Sequence, residues 1–223
     1  MKNFIEKLLK EYGDTAENLS ISGKKFIVNN KTKMIGLDEM AKQLSHYTPK
    51  FKERFSSSDA LYVVFDEDNF KFYFIEFKNI DYTDVKERLE DKYKLKELIN
   101  NIDDDDFKKE LKKYLNKLVD KSFMRFKMKP YDSLSLIYYY MNIFFNESND
   151  ELTKSLFEIE KYYILVSRTK TEVNPLFKNK SNRNNNIIRP LRFLKRLIPY
   201  YYNNVLIIPN TKFNKLMRNI KNQ

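Results

Sequence analysis

The stretch SSSDALYVVFDEDNFKFYFIEFKN, residues 56–79, decides how this chain folds. Two runs rich in aromatic and β-branched residues, 60–65 and 70–75, flank the polar quartet DEDN, whose composition is that of a turn. The pattern predicts a β-hairpin. If Glu67 and Asp68 are the central turn residues, Asp59 stands opposite Glu76, and moving the turn by one residue places Asp59 opposite Lys78.

Either register brings three charged side chains to one side of the predicted sheet: Asp59, Glu76 and Lys78. Facing residues of antiparallel strands point the same way, and residues two apart on one strand share a face. Two carboxylates held together repel each other unless a cation lies between them. Mg²⁺ binds a few carboxylate oxygens and keeps water in its other positions, and a nearby ammonium can orient or deprotonate an attacking water.

Glu76 lies in the run FYFIEFK, which is apolar on both sides of the strand and therefore predicts a strand buried on both faces. An acid and a lysine in such a place must either pair structurally or take part in chemistry. The pattern leaves open a purely structural ion pair of Lys78 with Glu76 or with Asp59.

Asp59 followed by Glu76-Phe77-Lys78 resembles the signature of the PD-(D/E)xK nuclease superfamily. Ser58 departs from it, because the family pattern has proline there. The resemblance implies a restriction-endonuclease-like α/β core, with a mixed central sheet flanked by helices and elements in the order α, β, β, β, α, β. It also implies a deoxyribonuclease in which Asp59 and Glu76 hold Mg²⁺ or Mn²⁺, the carbonyl of Phe77 adds an oxygen, and Lys78 positions the attacking water.

In this superfamily an acid on the first helix sometimes joins the metal site. Glu39, in a short helix LDEMAKQLSHY that Asp38 opens, is the best-placed candidate, and Glu53 is its rival. A surface location is the simple alternative for both.

The composition excludes several classes of enzyme. The chain has 223 residues, no cysteine, one histidine (His46) and three glycines. Disulfides, thiolate zinc sites, a cysteine nucleophile, a multi-histidine site and an HNH-type nuclease are therefore excluded, as are glycine-rich phosphate loops. Carboxylates, lysines and the backbone remain for chemistry.

The net charge of +11 is concentrated at one end of the chain. Residues 161–223 contain 14 Lys or Arg and a single acid, Glu172, which gives +13, whereas residues 1–160 sum to −2. A one-sided basic region suits DNA or RNA, although a solvated face is the simpler alternative. The residues predicted to contact phosphates, on a short basic helix, are Arg189, Arg192, Lys195 and Arg196.

The remaining sequence predicts a single nuclease-like domain, 1–223. An amphipathic helix opens it, residues 24–30 form a strand, and residues 31–36 form its return or a loop. A helical insertion spans about 82–158: one helix at 82–100, aspartates 103–106 that begin another helix, and a buried helix from Ser133 after Pro130. Two strands, 161–167 and 203–209, close the domain around an asparagine-rich loop at 182–186.

The longest uncharged apolar run, 133–146, is too short to span a bilayer, which predicts a cytoplasmic protein without membrane contact. Cutting both DNA strands with one site per chain would favour a homodimer. Two alternatives to a nuclease remain: a non-enzymatic nucleic-acid-binding module on a degenerate nuclease fold, and a defence or anti-defence interaction protein that contacts an acidic partner.

Overall fold

The computed structural model describes residues 1–47, 56–66, 69–80, 97, 99–145, 156, 158–169, 193–194 and 196–222. The chain is an α/β protein with a mixed six-stranded central sheet. Its strands are Gly13–Thr15 (β1), Lys33–Gly36 (β4), Ala60–Asp66 (β5), Asn69–Lys78 (β6), Glu160–Ser167 (β7) and Asn204–Pro209 (β8). Across the sheet they lie in the order β1-β4-β5-β6-β7-β8. A separate two-stranded ribbon consists of Ile21–Ser22 (β2) and Lys25–Phe26 (β3).

Helices cover both faces of the central sheet. They are Lys2–Tyr12 (α1), Ala16–Leu19 (α2), Leu37–Tyr47 (α3), Asp105–Phe145 (α4) and Phe213–Lys221 (α5), with a 3₁₀ turn at Asn210–Lys212. None of the helices within the described ranges combines the length and the apolar character needed to cross a membrane.

The predicted hairpin is confirmed as β5 and β6. Ala60 lies opposite Ile75 and Asp66 opposite Asn69, so the register is the one that has Glu67 and Asp68 between the strands. β1, β4, β5 and β6 are antiparallel in succession, whereas β6, β7 and β8 run parallel. The carboxyl ends of β6, β7 and β8 therefore lie at one edge of the sheet.

β6 is buried on both of its faces, as its sequence predicts. Phe72 and Phe74 point into a core formed with α1, α3 and α4, while Tyr73 and Ile75 point into a second core closed by α5. Glu76 and Lys78 share the parity of Phe72 and Phe74. Both charged residues therefore face the side of the sheet that α4 covers.

α4 begins where the aspartates predict a helix start. Asp104 Oδ1 accepts hydrogen bonds from the backbone N–H groups of Asp106 and Phe107, each at 3.0 Å, so Asp104 caps the helix. The prediction of a new helix after Pro130 is wrong, because α4 continues through Pro130 to Phe145. Pro130 lacks an N–H group and disfavours a helix interior, but it is buried in the fold, and its carbonyl accepts a hydrogen bond from the Tyr202 hydroxyl at 2.7 Å.

Other local predictions have mixed outcomes. Helices α1 and α3 and strands β7 and β8 are confirmed, and Phe4, Ile5 and Leu8 of α1 are buried as its apolar stripe predicts. The strand predicted at 24–30 is only the two-residue β3, whereas the return or loop predicted at 31–36 contains the central-sheet strand β4. The described residues include only 97, 99 and 100 of the helix predicted at 82–100 and none of the loop at 182–186.

Candidate active site

The structure brings Asp59, Glu76 and Lys78 together at the carboxyl end of β6. Asp59 directly precedes β5, and its Oδ2 accepts a hydrogen bond from the backbone N–H of Phe77 at 2.6 Å. Lys78 Nζ lies 2.6 Å from Glu76 Oε1. That oxygen accepts no hydrogen bond of normal geometry from the described residues, so the contact with the Lys78 ammonium is chiefly one of charge.

A fourth residue, Lys129 of α4, completes the cluster. Its Nζ lies 2.9 Å from Glu76 Oε2 and 3.3 Å from Asp59 Oδ1. A single ammonium therefore occupies the place between the two carboxylates where the sequence predicts a cation. Lys129 is not among the site residues that the sequence predicts, because it lies far from the hairpin along the chain in a lysine-rich helix. Its one distinguishing signal is its place beside Pro130, where α4 changes from charged to apolar.

Burial dominates the electrostatics of the cluster. Glu76 is fully buried, and the side chains of Asp59 and Lys129 are each 16% exposed. Burial, followed by the charge of Glu76, raises the pKa of Asp59 from 3.8 to about 7, although Lys129, Lys78 and the Phe77 N–H act in the opposite direction. Burial alone would lower the pKa of Lys129, but the carboxylates of Glu76 and Asp59 raise it above its usual value, so the ammonium keeps its charge.

The serines before Asp59 join its strand to two helices. Ser57 Oγ donates to Asp38 Oδ1 of α3 at 3.0 Å, and the N–H of Ser58 donates to Ser133 Oγ of α4 at 2.7 Å. Ser133 Oγ in turn lies 2.6 Å from the carbonyl oxygen of Lys129, to which it donates. Proline has no N–H group and could not make this contact at position 58, so Ser58 links the residue before Asp59 to the helix turn that carries Lys129.

The cluster opens into a polar cleft of about 490 Å³. Asp38, Asp59, Lys78 and Lys129 line it, together with residues 19–22, 27, 77, 79 and 80. The cleft lies outside the carboxyl end of β6. Ligands of α/β proteins commonly bind in this place.

The prediction that Glu39 joins the site is corrected. Glu39 is exposed and pairs with Lys42 at 3.4 Å on the outer side of α3, because the inner side of that helix packs Leu37, Met40, Ala41 and Leu44 into the core. Asp38, the preceding residue, is the acid of α3 that lines the cleft. Glu53 lies outside the described residues.

Part of the basic tail lies near the cleft. Arg168 directly follows β7, and its backbone N–H donates to the carbonyl of Ile80, a cleft residue, at 3.0 Å. Arg196 is exposed in a short 3₁₀ turn. The other predicted phosphate contacts, Arg189, Arg192 and Lys195, lie outside the described residues.

An aromatic pair connects the same tail to the cluster from another side. The Lys78 ammonium lies 5.6 Å from the ring centroid of Phe126, and the Phe126 and Phe193 rings are 5.5 Å apart, edge to face. Phe126 therefore lies between Lys78 and Phe193 of the basic tail.

The donor set at the cleft is suited to a hard divalent cation. Among the described residues, no group of three or more His, Cys, Asp or Glu side chains is arranged to hold a metal ion. The two carboxylates of Asp59 and Glu76 nevertheless suffice for Mg²⁺, which often binds one or two protein carboxylates and completes its coordination with water and substrate phosphate. Oxygen ligands also suit Mn²⁺. The residues present fit such an ion, provided that the Lys129 ammonium moves.

Comparison of this chain with protein-family models, with curated proteins and with solved structures finds no match.

Proposed function

We propose that this protein is a metal-dependent nuclease of the PD-(D/E)xK type that hydrolyses phosphodiester bonds in DNA. The observation that carries the proposal is the convergence of Asp59 and Glu76 on one cation position, with Lys78 beside them, at the edge of a polar cleft. Burying two carboxylates together is unfavourable, and a site that retains them is a candidate for cation chemistry.

Asp59 and Glu76 would hold Mg²⁺ or Mn²⁺, and the carbonyl of Phe77 would add a further oxygen. When bound, the metal ion would polarise the phosphoryl oxygens and lower the pKa of bound water. Lys78 is 28% exposed, so its ammonium is accessible from the cleft while it contacts Glu76. It would position the attacking water and stabilise the negative charge that develops on the phosphate.

The order of elements supports a restriction-endonuclease-like fold as part of this proposal. β4, β5 and β6 form an antiparallel series, α4 follows, and β7 returns parallel to β6. In addition, α3 lies between β4 and β5, and β1 and β8 extend the two edges of the sheet.

The charge of the chain supports a polyanionic substrate. Arg168 lies beside the cleft, and the net charge of +13 over residues 161–223 would attract phosphates without reading sequence. Duplex DNA is the proposed substrate and RNA the other polyanion to test. The homodimer and the cytoplasmic location stay predictions.

Lys129 also favours a second candidate, a non-enzymatic nucleic-acid-binding module. Two ammonium groups already contact the two carboxylates, so the cluster could serve as a buried ion-pair network without metal. In that case nucleic-acid binding through the basic residues would remain without any cleavage.

A panel of substrates separates the two candidates. Supercoiled, linear and branched DNA and single-stranded RNA are incubated with the purified protein in Mg²⁺, Mn²⁺ or EDTA, and salt-dependent binding is measured in EDTA. Cleavage that requires the metal ion supports the nuclease. Salt-sensitive binding in EDTA without cleavage in either metal would instead support the binding module, and the absence of both would remove both candidates.

A further inference from the structure

We propose that Lys129 is the built-in counter-ion of the metal-free site, so that its ammonium and a divalent metal ion compete for Asp59 and Glu76. This inference rests on the proposed function, because it concerns the same two carboxylates. It assigns Lys129 a role that the nuclease signature does not contain.

The geometry of Glu76 makes the competition direct. Its Oε2 is 2.9 Å from Lys129 Nζ, its Oε1 is 2.6 Å from Lys78 Nζ, and the residue is fully buried. Asp59 Oδ2 is occupied by the Phe77 N–H, while Oδ1 faces Lys129 at 3.3 Å. The oxygens that a shared cation would use are therefore those that contact Lys129. An ammonium is a compact charge with three donors and can contact both carboxylates at once, while the Lys78 ammonium supplies the second positive charge.

The structure also indicates which part of Lys129 would move. The carbonyl of Lys129 is bound by Ser133 Oγ, and the carbonyl of the next residue, Pro130, is bound by the Tyr202 hydroxyl. These contacts hold the backbone of α4, whereas the four-carbon side chain can rotate and is 16% exposed toward the cleft. Asp38 lines the same cleft and attracts the Lys129 charge. A displaced ammonium therefore stays at the cleft, where a phosphate is its complementary partner.

The competition predicts that removal of the Lys129 charge strengthens metal binding. Binding of Mn²⁺ is measured without nucleic acid, from the electron paramagnetic resonance signal of the unbound ion. The proteins compared are wild type, Lys129→Met, the double variant Lys129→Met/Glu76→Gln, and the control Lys113→Met, which removes an exposed lysine of the same helix. Lys129→Met should bind Mn²⁺ more tightly than wild type, by roughly tenfold or more, because the metal ion no longer has to displace the Lys129 ammonium.

The controls assign the gain to the site. Lys113→Met should bind Mn²⁺ as wild type does, and Glu76→Gln should remove the gain from the double variant. Circular dichroism checks the fold, and if Lys129→Met is unfolded, Lys129→Gln replaces it, because its amide keeps a polar contact without the charge. Equal or weaker Mn²⁺ binding by the neutral variant, or a gain that survives Glu76→Gln, would overturn the inference.

The outcome is distinguishable from failure of the proposed function. A wild-type protein that cleaves no substrate, with a Lys129→Met variant that binds Mn²⁺ through Glu76, would support the competition and remove the nuclease. A wild-type protein that cleaves with metal, with no gain in the variant, would support the nuclease and overturn the competition.

Discussion

Asp59→Asn should make the protein more stable at alkaline pH than wild type. The folded-state pKa of Asp59, about 7, is above its ordinary value of 3.8, because the carboxylate is buried beside Glu76. The folded protein therefore binds this proton more tightly than the unfolded chain does. The unfavourable contribution of the ionised carboxylate is absent below about pH 4 and complete above about pH 7, so wild-type stability falls as the pH rises through this window.

One unit of pKa difference corresponds to about 1.4 kcal/mol. Between about pH 5 and pH 8 the raised pKa of Asp59 should lower the unfolding free energy of wild type by roughly 2–3 kcal/mol. Asp59→Asn has no charge to bury, so its unfolding free energy should not show this decrease. The assay is urea denaturation in EDTA across this range. The exposed Asp103 provides a matched control, since Asp103→Asn should follow wild type.

The same urea denaturation is also measured with Mg²⁺ in place of EDTA. Mg²⁺ that binds the folded protein stabilises it, and the effect should appear in wild type above pH 7, where Asp59 is ionised, and be weaker in Asp59→Asn. An equal stability difference between Asp59→Asn and wild type at pH 5 and pH 8 would show that burial does not raise the pKa of Asp59.

Three further predictions concern the tail and the link between strand and helix. The quadruple replacement by Gln covers Arg189, Arg192, Lys195 and Arg196. Fluorescence anisotropy should show weaker binding to all duplex sequences. The slope of log binding constant against log salt concentration should be reduced by about 0.9 per lost phosphate contact. A slope equal to that of wild type would show that these charges make no phosphate contact. Arg168→Gln alone should reduce the slope by about 0.9, and an unchanged slope would remove it from the binding surface. Ser133→Ala should lower the free energy of unfolding by about 1–3 kcal/mol in urea denaturation, because the buried N–H of Ser58 loses its acceptor. Ser135→Ala, at an exposed position, should change it by no more than about 0.5 kcal/mol. Equal losses in the two variants would contradict the link between Ser58 and α4.

The hairpin and its charged residues were predictable because local patterns decide them. The alternation of side chains and the polar turn fix which residues share a face, so Asp59, Glu76 and Lys78 come together in either register. The sequence did not choose between the two registers. In the structure Ala60 lies opposite Ile75, which is the register with Glu67 and Asp68 between the strands.

Contacts made by tertiary packing were not predictable in the same way. Lys129 reaches the carboxylates only because α4 crosses the sheet at that point, and nothing in its local sequence specifies the crossing. Pro130 predicted a helix boundary, yet α4 continues through it. The residues after Pro130 pack into the core through Leu136, Ile137 and Met141, and the Pro130 carbonyl accepts a hydrogen bond from the Tyr202 hydroxyl. The placement of Glu39 in the site was wrong for a related reason, since the orientation of α3 depends on which of its sides is packed, and that packing turns Glu39 to the surface.

The most direct test of the nuclease assignment is cleavage of supercoiled plasmid by wild type, Glu76→Gln and the surface control Glu39→Gln, each in Mn²⁺, Mg²⁺ and EDTA. Glu76→Gln keeps the shape of the side chain but removes the charge that would hold the cation. Wild type and Glu39→Gln should nick or linearise the plasmid only when metal is present. Glu76→Gln should not cleave it, and should bind DNA in EDTA at least as tightly as wild type, because repulsion of phosphate is reduced. Cleavage by Glu76→Gln at the wild-type rate would contradict the assignment.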